Sequence, residues 1–158
     1  MKMLSFRWRS SMDATLVTER TSVQVVLPHH HYAGGLQRSR LRAGIWDTFE
    51  VGLSMHSNIH LGISLAAMVH LAAATPNLTY ACDTHWPWKH EDVIVPRVSN
   101  FVDGAVAVPT GPGLGIETDQ EAHSALHRQN LDCGIRDRDD TGYTRSIDPT
   151  FENTCPRW

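Results

Sequence analysis

Val23-Gln24-Val25-Val26-Leu27 is a compact β-branched run closed by Pro28, and it reads as a buried strand. A turn region follows, Pro28 to Gly35, with three consecutive histidines and a Gly-Gly pair. Apolar residues then return at helical spacing: Leu41, Ile45 and Phe49 form one stripe of a helix predicted over residues 36–49. Val51-Gly52-Leu53-Ser54-Met55 reads as a second short buried strand running into His56-Ser57-Asn58, where Ser57 or Asn58 is the expected cap of the next helix. That helix, predicted over residues 60–74, carries Leu61, Leu65, Met68 and Ala72 on one side and Ile63, Val69 and Leu71 around it. So broad an apolar surface implies burial over most of the circumference. Thr75-Pro76-Asn77 stops it, and Leu78 to Cys82 is a third strand candidate ending at Asp83-Thr84-His85.

Further along, residues 92–95 and 101–108 are β-rich, and Asp103-Gly104 is a hairpin signal. Gly111-Pro112-Gly113-Leu114-Gly115 is a loop; no Lys-Ser/Thr pair follows it, which excludes a phosphate-binding loop. Residues 118–129 fit a short helix with Thr118 and Glu121 as a capping box, and the tail from Leu131 is polar and loop-like. Residues 1–22 show no clear periodicity. Strand, loop and helix thus alternate in the order of a parallel sheet or barrel, an α/β class. Polar clusters follow each strand, at His29-His30-His31, His56-Ser57-Asn58 and Asp83-Thr84-His85. In a β/α barrel the active site lies at those C-terminal strand ends.

Composition narrows the partners. The 158 residues suit one domain and carry a formal net charge of -3, which argues against nucleic acid. Cys82, Cys133 and Cys155 are odd in number and form no C-x-x-C pair, so neither a disulfide framework nor a zinc site is expected, and a reducing cytoplasm is the default location. The longest apolar run, residues 65–74, is broken by His70 and is too short to span a bilayer, so no membrane role is expected.

Among residues able to do chemistry, His56 directly follows a buried strand, and an imidazole can take a proton from carbon or return one to a leaving group. A polar residue that merely opens a helix is the competing explanation. Asp83 and His85 flank Thr84 and are expected to face opposite sides, one toward the barrel mouth; ordinary turn chemistry competes there. The triple histidine invites a metal, but adjacent residues rarely converge on one point, so no metal site is expected. Arg136, Asp137, Arg138, Asp139 and Asp140 form a charge cluster that is either a solvated loop or, through an arginine fork, a holder of a carboxylate.

Several motifs stand in one order: Met55-His56-Ser57-Asn58, then His60-Leu61-Gly62-Ile63-Ser64-Leu65, then Ala81-Cys82-Asp83-Thr84-His85-Trp86 with Trp88 two on. Gly111-Pro112-Gly113-Leu114-Gly115 and Cys133-Gly134-Ile135-Arg136-Asp137-Arg138-Asp139-Asp140 complete the set. In these the chain resembles the glucarate dehydratases of the enolase superfamily, which are mandelate racemase-like, from about Val23 to Trp158. The resemblance implies the C-terminal part of an enolase-type modified TIM barrel, (β/α)7β, incomplete here. It implies a magnesium-dependent lyase of sugar-acid breakdown. Such an enzyme removes water from D-glucarate or a related hexaric acid by taking a proton beside a carboxylate, through an enediolate. On the same resemblance His56 matches the seventh-strand histidine that acts as general base or acid. His56, Ser57, Asn58, His85 and Arg138 match substrate-binding positions, and Asp83 belongs to the same strand-end motif.

Two departures bear on activity. The family's sixth-strand aspartate, which orients the catalytic histidine, is replaced by His29, so His56 is expected to be poorly oriented. The family's lysine base, its three magnesium ligands and most of its capping domain are expected to precede this segment, leaving no metal ligand here. The organisation expected is a divergent stretch, residues 1–22, and a C-terminal barrel portion, residues 23–158, inactive alone as a truncated fragment. The alternatives are a subunit that completes a barrel with a separately encoded N-terminal half, and a non-catalytic sugar-acid binder; a homo-oligomer is the other partner considered. An upstream reading frame with the missing lysine and ligands favours the first alternative; a sugar acid held without magnesium favours the second.

Overall fold

The computed structural model describes residues 3–4, 23–57, 60–95, 101–135, 137 and 139–153. They fall into two compact units, Met1–His123 and Ser124–Trp158.

The first unit is built on parallel pairing. Strand β1 (Met3–Leu4) lies beside β2 (Val25–Val26), and β2 beside β3 (Gly52–Leu53), with Val25 opposite Gly52 and Val26 opposite Leu53. The ladder continues past the formal strand ends, because the Ser54 N–H donates to Val26 O at 3.1 Å and the His56 N–H to Pro28 O at 3.2 Å. Strand β4 (His56–Ser57) then pairs in parallel with β5 (Asp83–Thr84), His56 opposite Asp83 and Ser57 opposite Thr84. One extended segment, residues 52–57, is therefore hydrogen-bonded on both sides.

The third strand departs from expectation. Residues 78–82 form no regular strand; pairing is formal only at Asp83–Thr84. The N–H groups of Thr79 and Tyr80 both donate to Leu53 O at 3.0 Å, and the next bond, Asp83 N–H to Met55 O, is also 3.0 Å. Two residues from Leu53 to Met55 thus oppose three from Tyr80 to Asp83. One residue is extra, and the ladder bulges. The Ser54 hydroxyl, donating to Ala81 O at 2.7 Å, satisfies a carbonyl that the bulge takes out of the ladder.

Helix α1 (His30–Ala33) leads by way of Gly34 and Gly35 into α2 (Leu36–Thr48). The predicted stripe on α2 faces outward: Leu41 is 66%, Ile45 43% and Phe49 52% exposed. The buried positions are Ser39, Ala43 and Trp46. Small side chains at two of them let the helix approach the sheet, and Trp46 fills the space against Val23, Val26 and Leu53.

Helix α3 (Gly62–Ala73) is buried at Gly62, Leu65, Ala66, Met68, Val69 and Leu71, as its apolar circumference requires, while Ile63 stays exposed. Its expected caps do not serve it. Ser57 lies in β4, Asn58 is outside the described residues, and Leu61 occupies the cap position with no side-chain bond. The acceptor comes instead from thirty residues downstream: Asp92 Oδ1 accepts from the Gly62 N–H at 2.8 Å and the Val93 N–H at 2.7 Å, and Oδ2 accepts from Trp86 Nε1 at 2.9 Å. Position 62 must be glycine there, since a Cβ would overlap the Ile94 side chain and the Asp92 carboxylate.

A short 3₁₀ turn, Trp86–Trp88, follows β5. Strand β6 (Ile94–Val95) pairs antiparallel with β9 (Glu117–Thr118), and between them β7 (Phe101–Val102) and β8 (Ala105–Val106) form the hairpin signalled by Asp103-Gly104. Both turn residues have positive φ, 50° and 76°, as a two-residue turn of the primed type demands.

Helix α4 (Gln120–Asp132) is capped by Asp119, whose Oδ1 accepts from the Ala122 N–H at 2.9 Å; Thr118, the expected cap, is in β9. In the second unit the predicted polar tail contains helix α5 (Asp140–Ile147), started by Asp139 Oδ1 accepting from the Gly142 N–H at 2.7 Å. Tyr143 and Ile147 stand one turn apart on α5 yet are 70% and 69% exposed, so the helix has no buried stripe to mark it. Cys82 and Cys133 are free thiols, Cys82 with its pKa raised by burial; Cys155 is outside the described residues. Among the described residues no helix is long and apolar enough to cross a membrane.

Candidate active site

Parallel strands put their C-terminal ends on one side, and the polar clusters meet there. Pro28 ends the first strand segment, so His29 leaves the ladder and becomes the cap of α1: its Nδ1 accepts from the His31 N–H at 3.3 Å. With Nδ1 an acceptor, the proton of His29 lies on Nε2, a buried atom with no hydrogen-bond partner among the described residues. The second segment ends on His56, and the third on Asp83, Thr84 and His85.

His56 Nδ1 lies 2.6 Å from Asp83 Oδ1. The pairing register explains the contact: directly opposed residues of two strands project to the same face. The same carboxylate oxygen also takes a longer bond, 3.4 Å, from the Ser57 N–H. His85 stands on this face too, its ring edge-on to His56 with centroids 6.1 Å apart. Asp83 and His85 therefore do not face opposite sides. Residues two apart along an extended chain share a face.

Ser57 is fully buried, its hydroxyl 3.1 Å from Thr84 Oγ1, which itself accepts from the Trp86 N–H. It sits beneath the mouth and ties β4 to β5. Asn58 and Arg138 lie outside the described residues, as does Arg136.

Around His56 the structure gathers imidazoles. The His29 ring is 6.1 Å from His56 and 4.4 Å from His60; His31 is 4.8 Å and His30 5.9 Å from His60. Burial, reinforced by the neighbouring imidazoles, lowers His29, His30 and His60 to about 4. All three are neutral at neutral pH. His29 thus brings no charge to His56, and the carboxylate that does lie against the His56 ring is that of Asp83. His60, Thr84 and Asp92 join the site through contacts that the sequence does not display; for His60 its place four residues after His56 is the available signal.

A parallel α/β arrangement with polar side chains gathered at the strands' C-terminal ends is that of a β/α barrel. The sequence model of the family described as enolase C-terminal domain-like matches residues 6–122, and the chain belongs to that family, corresponding to the C-terminal part of an enolase-type barrel. It is 51% identical over 140 residues to a probable glucarate dehydratase of Streptomyces coelicolor, covering 87% of this chain and 32% of that protein. It is 29% identical over 110 residues to muconate cycloisomerase 1 of Rhodococcus opacus, covering 70% of this chain and 30% of that protein. The crystal structure of an enolase from Mycobacterium smegmatis complexed with tartrate superposes with a TM-score of 0.92 at 66% identity, over 99% of this chain and 37% of that one. An enolase from Gibberella zeae complexed with magnesium, formate and sulfate gives 0.92 at 49% identity with the same coverage. The chain thus spans about a third of the length of these relatives.

Magnesium, bound in the Gibberella zeae structure, calls for near-octahedral oxygen ligation. Among the described residues no group of three or more His, Cys, Asp or Glu is arranged to hold a metal ion. The mouth offers nitrogens that stack and tilt against one another, and one carboxylate already engaged by His56. These residues do not fit a magnesium site.

Proposed function

We propose that this chain forms the C-terminal portion of a sugar-acid dehydratase of the glucarate dehydratase type, in which His56 exchanges the proton on the carbon beside a substrate carboxylate. The observation that carries the reading is His56 itself. It stands at a strand's C-terminal end, with Nδ1 engaged by Asp83 and Nε2 left as the nitrogen able to accept a proton. The likeness to the Streptomyces coelicolor protein named as a probable glucarate dehydratase supports the substrate class, a hexaric acid such as D-glucarate.

In the reaction, Nε2 accepts the proton as the C–H bond breaks, and the electron pair passes into the adjacent carboxylate as an enediolate. The pair then returns to form a C=C bond while the C–O bond of the neighbouring carbon breaks, and the departing hydroxide leaves as water with a proton. The enol so formed tautomerises to a keto acid. His85, whose ring lies edge-on to His56, is assigned to substrate contact, and Arg138 to a substrate carboxylate, both by resemblance. The chain corresponds to about a third of its relatives' length, and the reaction is assigned to the whole barrel that these residues help to build.

The test is co-expression of this chain with the portion of the Streptomyces coelicolor relative that it does not match. Keto-acid formation from D-glucarate is then followed, together with deuterium uptake beside the carboxylate in D2O. His56→Asn should abolish uptake at the position His56 serves. A reconstituted, folded barrel whose uptake is untouched by His56→Asn refutes the reading.

A further inference from the structure

We propose that Asp83 is the positioning residue of His56. From the end of the neighbouring strand, its carboxylate holds the imidazole proton on Nδ1 and so makes Nε2 the nitrogen that meets the substrate. The proposal rests on the function proposed above for what Nε2 does, whereas the proton's location can be read without any reaction.

Three observations carry it. First, the contact is short and built into the fold: 2.6 Å between Nδ1 and Oδ1, from two residues opposed in the parallel register. Second, it has one chemical sense. A carboxylate offers only acceptors, so the imidazole nitrogen facing it must be the donor. Third, among the described residues the other groups near His56 do not perform the task. The nearest ring on the β2 side, His29, is 6.1 Å away, neutral, and has its Nδ1 committed to the His31 N–H. His85 meets His56 edge-on, its ring centroid 6.1 Å away, and brings an imidazole rather than a carboxylate. An imidazole left to itself divides its proton between two nitrogens and rotates about χ2; a fixed carboxylate removes both freedoms.

The experiment is ¹⁵N imidazole correlation spectroscopy on the whole chain at neutral pH, with His56 assigned by the signals lost in His56→Asn. His56 should show protonated Nδ1 and unprotonated Nε2. Asp83→Ala should move it toward the mixed population of a free imidazole. Asp83→Asn, whose amide oxygen still accepts, should retain most of the Nδ1-protonated form; it guards against a variant that merely fails to fold. In the reconstituted barrel Asp83→Ala should lower kcat by about 10²-fold, within the ~10²–10⁴-fold span of general acid–base contributions, and leave KM nearly unchanged. A His56 protonated on Nε2 in the wild-type chain, or spectra indifferent to Asp83→Ala, overturns the assignment. Spectra that respond as expected, beside a folded barrel inert toward D-glucarate, uphold Asp83 as the positioning group and defeat the dehydratase reading instead.

Discussion

Replacing Asp92 by alanine removes three hydrogen bonds in one step, from the Gly62 N–H at 2.8 Å, the Val93 N–H at 2.7 Å and Trp86 Nε1 at 2.9 Å. Gly62 and Trp86 are buried, and the Gly62 N–H belongs to the first turn of α3, where no intrahelical acceptor exists. A hydrogen bond to a charged group contributes about 1.5–3 kcal/mol, and loss of a helix-capping side chain costs about 1 kcal/mol. Because the three bonds share one carboxylate, the losses overlap, and about 3 kcal/mol is the expected total. Asp92→Asn separates the parts. Its oxygen can still serve the two backbone donors, but its amide then meets the Trp86 N–H donor to donor, for an expected cost of about 1–2 kcal/mol. Urea unfolding of the two variants, followed by tryptophan fluorescence and far-ultraviolet circular dichroism, measures both. An alanine variant within about 0.5 kcal/mol of wild type, the ordinary range of surface changes, would refute the capping role. So would an asparagine variant as damaging as alanine.

Two further outcomes are expected. Stability should be full above pH 6.5 and fall as the pH drops toward 4, because the unfolded chain takes up protons at His29, His30 and His60 over a window in which the folded chain, with these groups held at about 4, does not. Melting temperatures at pH 7.5 and 5.5 check this; the drop should shrink in His30→Phe, and a flat profile in the wild-type chain refutes it. His29→Asp should keep the cap of α1, since a carboxylate also accepts from the His31 N–H. In the reconstituted barrel it should raise turnover less than tenfold, Asp83 already serving His56; a rise of about 10²-fold or more would show that Asp83 does not serve it.

The order of elements was legible in the chain because β-branched runs, turn residues and a broadly apolar helix each act locally. Val23 to Leu27, Val51 to Met55 and the Asp103-Gly104 turn needed no knowledge of distant partners. What escaped depends on partners far along the chain. Leu41, Ile45 and Phe49 have helical spacing, yet Ser39, Ala43 and Trp46 face the sheet, since closeness of approach decided the matter rather than hydrophobicity. Asp92 caps a helix that begins thirty residues before it. At the site, His56, Asp83 and His85 could be singled out from their strand-end positions, but their meeting depends on a register that only the pairing reveals.

That register has a phase, and the phase is set between Tyr80 and Asp83. With a regular ladder in place of the bulge, the same sequence would carry Cys82 to the N–H that meets Met55 O, and Cys82 rather than Asp83 would stand opposite His56. Asp83 would turn to the other face of the strand. An acid partner for the histidine therefore depends on a count of residues as much as on their identity. A lineage could exchange carboxylate for thiol beside His56 by inserting one residue between Tyr80 and Cys82 with the bulge kept, with neither Asp83 nor Cys82 ever substituted.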